Sequence, residues 1–307
     1  MTRARTVFGL QAALALVAAV VLGFGLTAAA SEMSLAFPSA AALAEACQSF
    51  ALPVVSVASV AGLAIGSLAV AVLILGARSA ARQLLASRRF LRRLRLRGAG
   101  PCGAVVFESP NPQAFCAGLL RPRVYVSTGT LAALTTDELA AVLAHEAHHA
   151  RVRDPLRVFI VRVVGDALFF LPAARALASR YGSLAELAAD AAAVRKGGGP
   201  KSLASALLAF EAAGPAVAGI APERVDHLLG ERPAWALPAG VLAWSLAALT
   251  ALAVVAMRLG AARDVPAISL PLLVAEACML LMAVLPLVLG ALSILGARRA
   301  VSTRRVV

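Results

Sequence analysis

Thr135-Thr136-Asp137-Glu138-Leu139-Ala140-Ala141-Val142-Leu143-Ala144-His145-Glu146-Ala147-His148-His149 is the stretch on which the reading of this chain turns. Thr135 with Glu138 three residues later is a capping-box signature. Leu139, Val142, Leu143 and Glu146 follow at helical spacing, so the segment predicts a helix. On a helix, residues i and i+4 share a face, and the imidazoles of His145 and His149 can converge on one metal ion at roughly 2.0–2.1 Å. Glu146 sits beside that metal. There it can take a proton from water that the metal acidifies towards a pKa of about 7, giving a nucleophile able to attack a peptide carbonyl. The chain has 4 histidines in 307 residues, and His145, His148 and His149 fall within five positions. An HExxH pentapeptide alone arises often by coincidence, so the reading needs a further ligand.

Glu186-Leu187-Ala188-Ala189-Asp190 supplies one. These carboxylates are also spaced i, i+4 in a helical stretch, so Glu186 can reach the metal while Asp190 holds a ligand histidine. Without a site the pair would be a solvated acidic face, yet its flanks are mostly alanine and leucine. Two histidines and a glutamate with an open fourth position favour one Zn2+ per chain.

HExxH, then Asp154 five positions after His149, then Glu-x-x-Ala-Asp at 186 to 190, resembles the membrane gluzincin peptidases. The stretch Ala114-Phe115-Cys116-Ala117-Gly118-Leu119-Leu120-Arg121-Pro122-Arg123-Val124-Tyr125-Val126-Ser127 is similar to the segment ahead of their zinc helix. The resemblance covers roughly Cys102 to Leu229. Two branches fit: the HtpX-type and CAAX prenyl endopeptidases, and the BlaR-type sensor proteases. The resemblance implies that His145, His149 and Glu186 are metal ligands, that Glu146 is the general base, and that Asp154 and Asp190 support the ligands. His148 has no counterpart and reads as a polar residue on the helix flank. Arg224 could match an arginine of similar peptidases, and neither it nor His227 is assigned a catalytic role. The implied location is the bacterial cytoplasmic membrane.

Composition fixes the setting. The chain is 61% hydrophobic and 15% charged with a mean hydropathy of +0.85, far outside the soluble globular range. Apolar runs long enough to cross about 30 Å of hydrocarbon occur at Val7 to Ala30, Leu52 to Gly76, Leu237 to Met257 and Ile268 to Gly296. The first could be mistaken for a secretory signal, but its apolar core is longer than the usual 7–15 residues, roughly, and reads as an uncleaved helix. Arg78, Arg82, Arg88, Arg89, Arg92, Arg93, Arg95 and Arg97 follow the second run. By the positive-inside rule they place both termini and the central region in the cytoplasm, with short loops around Glu32 to Phe50 and Leu259 to Pro266 outside. The net charge of +13 does not indicate nucleic acid, because the arginines flank membrane runs and aromatic residues are only 5%. Anionic lipid headgroups and topology account for them.

The fold expected is an α-helical integral membrane protein. Its four transmembrane helices carry a small cytoplasmic zincin-like α+β catalytic domain inserted between two hairpins. The divisions are 1–97 (hairpin and arginine-rich linker), 98–235 (metallopeptidase domain) and 236–307 (second hairpin and basic tail). Ala104 to Phe107 and Arg123 to Ser127 read as strands, and an edge strand is expected to bind extended substrate. Leu156 to Pro172 is apolar but short for a span, with Arg162 and Asp166 placed to pair. It reads as a helix against the membrane side, since a fifth span would separate His149 from Glu186 unless it were re-entrant. Cys47, Cys102, Cys116 and Cys278 show no metal or redox spacing. The expected partners are the lipid bilayer and a protein or peptide substrate. That substrate is a cytoplasmic repressor if the chain is BlaR-like, or damaged membrane proteins if it is HtpX-like. A non-hydrolytic metal-binding membrane scaffold is the remaining alternative.

Overall fold

A computed structural model of the chain describes residues 2–31, 33, 34, 39, 41, 57–196, 199–212, 224, 239–261, 268, 269 and 282. The element order is α1 (Thr2–Ser31), β1 (Met33–Ser34), α2 (Val57–Arg93), β2 (Leu96–Ala99), a 3-10 turn (Pro101–Gly103), β3 (Val105–Phe107), β4 (Ala114–Ala117), β5 (Arg123–Ser127), α3 (Thr128–Ala133), α4 (Thr136–Val152), α5 (Asp154–Ala167), α6 (Pro172–Lys196), α7 (Pro200–Ala212), α8 (Ala239–Ala261) and β6 (Ile268–Ser269).

Among the described residues, three helices are long and apolar enough to cross a bilayer: Arg3–Ala30 in α1, Val60–Arg93 in α2 and the whole of α8. They turn Leu16, Val20, Leu73, Ile74, Trp244 and Leu246 outward, a pattern that suits lipid and would be a liability in water. The expected fourth span, Ile268 to Gly296, lies outside the described residues apart from 268, 269 and 282. So do Cys47, His227 and Cys278.

The chain divides into two compact units. One comprises Leu22–Ser67 with Leu252–Val307; in it Ala28, Ile65, Ala256 and Leu259 form a core, and β1 pairs parallel with β6, Met33 opposite Ile268. The other comprises Met1–Val21 with Leu68–Ala251 and contains every candidate site residue.

In this second unit a four-stranded sheet runs β2-β3-β5-β4. β3 and β5 are parallel, with Val105 opposite Tyr125 and Phe107 opposite Ser127; the other neighbours are antiparallel, with Ala114 opposite Val126 and Ala117 opposite Arg123. The two strands expected from sequence are the inner pair. One sheet face buries Ala104 and Val126, with Val106 and Val124, against Leu139 and Leu143 of α4. That apolar seam fixes α4, which carries His145 and His149, beneath the sheet.

β4 forms one edge, and the loop before it is pinned. Ser127 Oγ caps α3 by accepting from Thr130 N at 3.0 Å, accepts from Gln113 N at 3.0 Å and donates to Asn111 O at 2.8 Å. Thr130 Oγ1 accepts from Gln113 N at 2.7 Å and donates to Gln113 O at 2.9 Å. Gly129 lets this loop sit close: a Cβ there would fall 2.2 Å from Pro110 O.

α4 begins as expected. Thr135 Oγ1 accepts from Glu138 N at 3.4 Å and Glu138 Oε2 accepts from Thr135 N at 2.8 Å. It ends at Arg153, whose left-handed backbone (φ 57°) reverses the chain so that Asp154 and Pro155 open α5 directly under His149. α6 lies along α4, and fully buried alanines, Ala141 on one helix and Ala189 and Ala193 on the other, let the backbones approach closely. α5 has 14 residues, about 21 Å at 1.5 Å per residue, too short to cross roughly 30 Å of hydrocarbon. The pairing expected within it differs: Asp166 Oδ2 accepts the Ser79 hydroxyl of α2 at 2.5 Å, because α2 passes closer than the next turn of α5. Val7 of α1 is buried with Val161, Leu177 and Tyr181, and Ala18 with Leu168, Leu171, Ala174 and Leu249.

Candidate metal centre

His145 and His149 stand one turn apart on α4, and Glu186 faces them from α6. Among the described residues these three form the group able to hold a metal ion, with ligand atoms all within 4.8 Å of one another. His145 Nε2 lies 3.1 Å from His149 Nε2 and 3.4 Å from Glu186 Oε2, and His149 Nε2 lies 3.6 Å from Glu186 Oε1. Ligands placed about 2.0–2.1 Å from a tetrahedral metal are separated by about 3.3–3.4 Å. The three observed separations bracket that edge.

The far side of His149 suits a metal ligand, and that of His145 meets a carboxylate. His149 Nδ1 donates to Asp154 Oδ2 at 2.8 Å, which fixes the tautomer and turns the Nε2 lone pair inward. Tyr181 on α6 donates its hydroxyl to the other Asp154 oxygen at 2.5 Å. His145 Nδ1 lies 2.9 Å from Asp190 Oδ1, a charge contact in which the ring N–H is off the hydrogen-bond line. The two Nε2 atoms, 3.1 Å apart, need a positive centre between them, a shared proton or a metal ion. Arg224 closes the group, donating from Nε and Nη2 to the two oxygens of Asp190 at 2.8 and 2.7 Å, with Nη1 3.3 Å from Glu186 Oε2. This fork-to-fork pair holds an Asp190 side chain with no exposed surface.

The electrostatics point the same way. Burial opposes charge on His145, yet Asp190, Glu186 and Glu146 outweigh it and raise the imidazole to about 9. A cluster of carboxylates is thus drawing positive charge to the place where a metal would sit. Burial raises Glu146 above the ordinary carboxylate range, whereas in Glu186 the pull of His145, His149 and Arg224 overcomes burial and holds it below. Neighbouring glutamates tuned apart suit two roles, a proton carrier and a permanently ionised ligand. Asp154 and Asp190 are held low against burial, by His149 and Tyr181 in one case and by His145 and Arg224 in the other.

A cleft of about 920 Å³ exposes this group. β4 forms one wall through Ala114, Phe115 and Cys116, and Leu203, Leu207 and Phe210 of α7 line another part. The Cys116 amide donates to Glu146, while its thiol is pushed up to about 12 by burial and by Glu146 and Asp154, so it stays protonated and inert.

Residues 87–228 match the model of peptidase family M48. This stretch, a little under half of the chain, is similar to an M48 peptidase domain. One curated relative is the protease HtpX of Thioalkalivibrio sulfidiphilus, 35% identical over 83 residues, which is 26% of this chain and 28% of that protein. The likeness is therefore to part of the relative.

Within the matched stretch the six residues singled out from sequence come together: His145, His149 and Glu186 face one another, Glu146 borders them, and Asp154 and Asp190 stand behind the imidazoles. His148 requires a correction. It is 4% exposed rather than on a polar flank, it shares the lining of a small cavity with Ala185 and Ala188 of α6, and burial next to His149 lowers its basicity. Tyr181 was not anticipated, and the bidentate role of Arg224 was not legible from the motif that contains it.

Proposed function

We propose that this chain is a zinc-dependent membrane endopeptidase whose active site faces the cytoplasm. The observation that carries the reading is the His145–His149–Glu186 donor triangle, with Glu146 beside it and an edge strand along the same cleft, within an M48 domain. Zinc bound there would polarise a scissile carbonyl and acidify water.

The residues of the chain do the rest. His145, His149 and Glu186 hold the ion; Asp154 and Asp190 orient the imidazoles. Glu146 takes the proton from the attacking water, the hydroxyl adds to the acyl carbon, and the same carboxyl returns the proton to the leaving amine. Its raised pKa suits both halves of that transfer. β4 offers backbone groups to an extended peptide. The arginines from Arg78 to Arg97 support the cytoplasmic orientation, and the domain limits 98–235 belong to the same proposal.

Cleavage products in cells carrying the wild type are compared with those carrying Glu146→Gln. Fragments of a cytoplasmic repressor that vanish in the variant favour a BlaR-like regulator; fragments of membrane proteins favour clearance of the HtpX kind. Identical product sets refute the peptidase and leave a metal-binding scaffold.

A further inference from the structure

A second cavity, of about 340 Å³, opens where α2, α5 and α6 meet. Three helices each contribute one arginine to its lining: Arg82 from α2, Arg162 from α5 and Arg175 from α6. The one carboxylate in its wall, Asp166, accepts the Ser79 hydroxyl at 2.5 Å, and Gln83 Nε2 donates to Ser79 Oγ at 3.1 Å. Three positive side chains against one negative leave an excess of two positive charges. Such a wall favours an anion.

The depth of the cavity is set by its neighbours. The turn between α5 and α6 packs Leu168, Leu171 and Ala174 among Ala18 of α1, Val72 of α2 and Leu249 of α8, within the apolar runs. Along α2 the apolar run ends at Gly76. Ser79 and Arg82 lie three and six residues beyond it, about 4.5 and 9 Å at 1.5 Å per residue. The polar headgroup layer begins at the hydrocarbon edge and extends about 5–8 Å outward. The two residues therefore straddle the level at which phospholipid phosphates lie.

We propose that this cavity binds the phosphate of an anionic phospholipid headgroup through Arg82, Arg162 and Arg175. Planar guanidinium forks match phosphate oxygens, and basic pockets between membrane helices on the cytoplasmic side are suited to such headgroups. The inference rests on the membrane-spanning reading of α1, α2 and α8 and not on peptidase activity. Arg162 and Ala178 also line the metal cleft, so a bound headgroup would border the substrate path.

The full-length chain, purified in nonionic detergent, is melted with short-chain phosphatidylglycerol, phosphatidylcholine or inorganic phosphate. Phosphatidylglycerol is expected to raise the wild-type melting midpoint saturably, and phosphatidylcholine is not. Each arginine near an anionic headgroup contributes a factor of about five in affinity, so Arg82→Gln with Arg175→Gln should need about 25-fold more lipid. Arg88→Gln with Arg89→Gln, on the same helix but outside the cavity and about 18–20 Å beyond Gly76, past the headgroup layer, should match the wild type. Arg82 and Arg175 are exposed, so their loss costs the fold little, and the midpoint in detergent alone checks this. If the double variant fails to fold, Arg82→Gln carries the test at about fivefold. Unchanged lipid response in the cavity variants, or an equal loss in the Arg88/Arg89 pair, overturns the proposal. An equal response to inorganic phosphate assigns the cavity to a soluble anion and overturns the lipid assignment. Hydrolysis plays no part in the readout, so the outcome is independent of the peptidase reading.

Discussion

Tyr181→Phe deletes one hydroxyl behind the metal centre and leaves the shape of the side chain intact. The hydroxyl donates to Asp154 Oδ1 at 2.5 Å, and Asp154, 5% exposed, uses its other oxygen to hold His149 Nδ1 at 2.8 Å. The phenyl ring would keep its contact with Phe8, whose centroid lies 5.8 Å away, so packing is conserved. What is lost is a hydrogen bond to a buried charge, worth about 1.5–3 kcal/mol. Removing a partner behind a metal ligand typically weakens metal affinity by about 10–100-fold. The lower end, about tenfold, is expected here because the Asp154–His149 contact survives. Asp154→Asn, which removes the charge on which His149 leans, should fall nearer 100-fold. Zinc competition against a chromophoric chelator, with the full-length chain in detergent at fixed pH, measures both. Wild-type affinity in Tyr181→Phe alongside a loss in Asp154→Asn would make Tyr181 a packing residue and refute the reasoning.

Arg224→Gln should destabilise the domain by about 3 kcal/mol, because it strips both aligned donors from a fully buried Asp190; Arg224→Lys should rescue little, since an ammonium cannot make the fork. Chemical denaturation with metal present reads both. Gly129→Ala forces a Cβ to within 2.2 Å of Pro110 O, and the displaced backbone should cost about 1–3 kcal/mol in the same assay. Chelation of the wild type should lower the unfolding midpoint by an amount that grows with the zinc concentration first present, about 4 kcal/mol at a thousandfold excess over Kd. A midpoint indifferent to chelator would mean that the folded state binds no metal.

The parts of the site that follow a helical period were legible in the chain: His145 with His149, Glu186 with Asp190, and the Thr135–Glu138 cap. Each depends on residues three or four apart, a spacing that the helix converts directly into proximity. Tyr181 and Asp154 are 27 residues apart and Arg224 and Asp190 are 34 apart, so no local pattern joins them. Tyr181 stood out only as a large polar ring in an alanine-rich helix. β4 escaped because Ala114-Phe115-Cys116-Ala117 has no β-branched residue; its pairing comes from β5 and from the Ser127 and Thr130 hydrogen bonds that pin its loop. The burial of His148 is tertiary too, beside residues of α1 and α6 that are distant in sequence. Arg82 looked like membrane-flanking charge and Arg162 like half of a helix-face pair, Arg175 was not singled out, and only the meeting of three helices puts them around one cavity.

Zinc content and hydrolysis of an unfolded protein substrate, measured together on purified wild type and Glu146→Gln, test the central claim most directly. One zinc per chain is expected in both, with cleavage in the wild type and none detectable in the variant, because the substitution keeps the donor triangle and removes the proton carrier. Cleavage that persists in Glu146→Gln, or a wild type that binds no zinc, would contradict it.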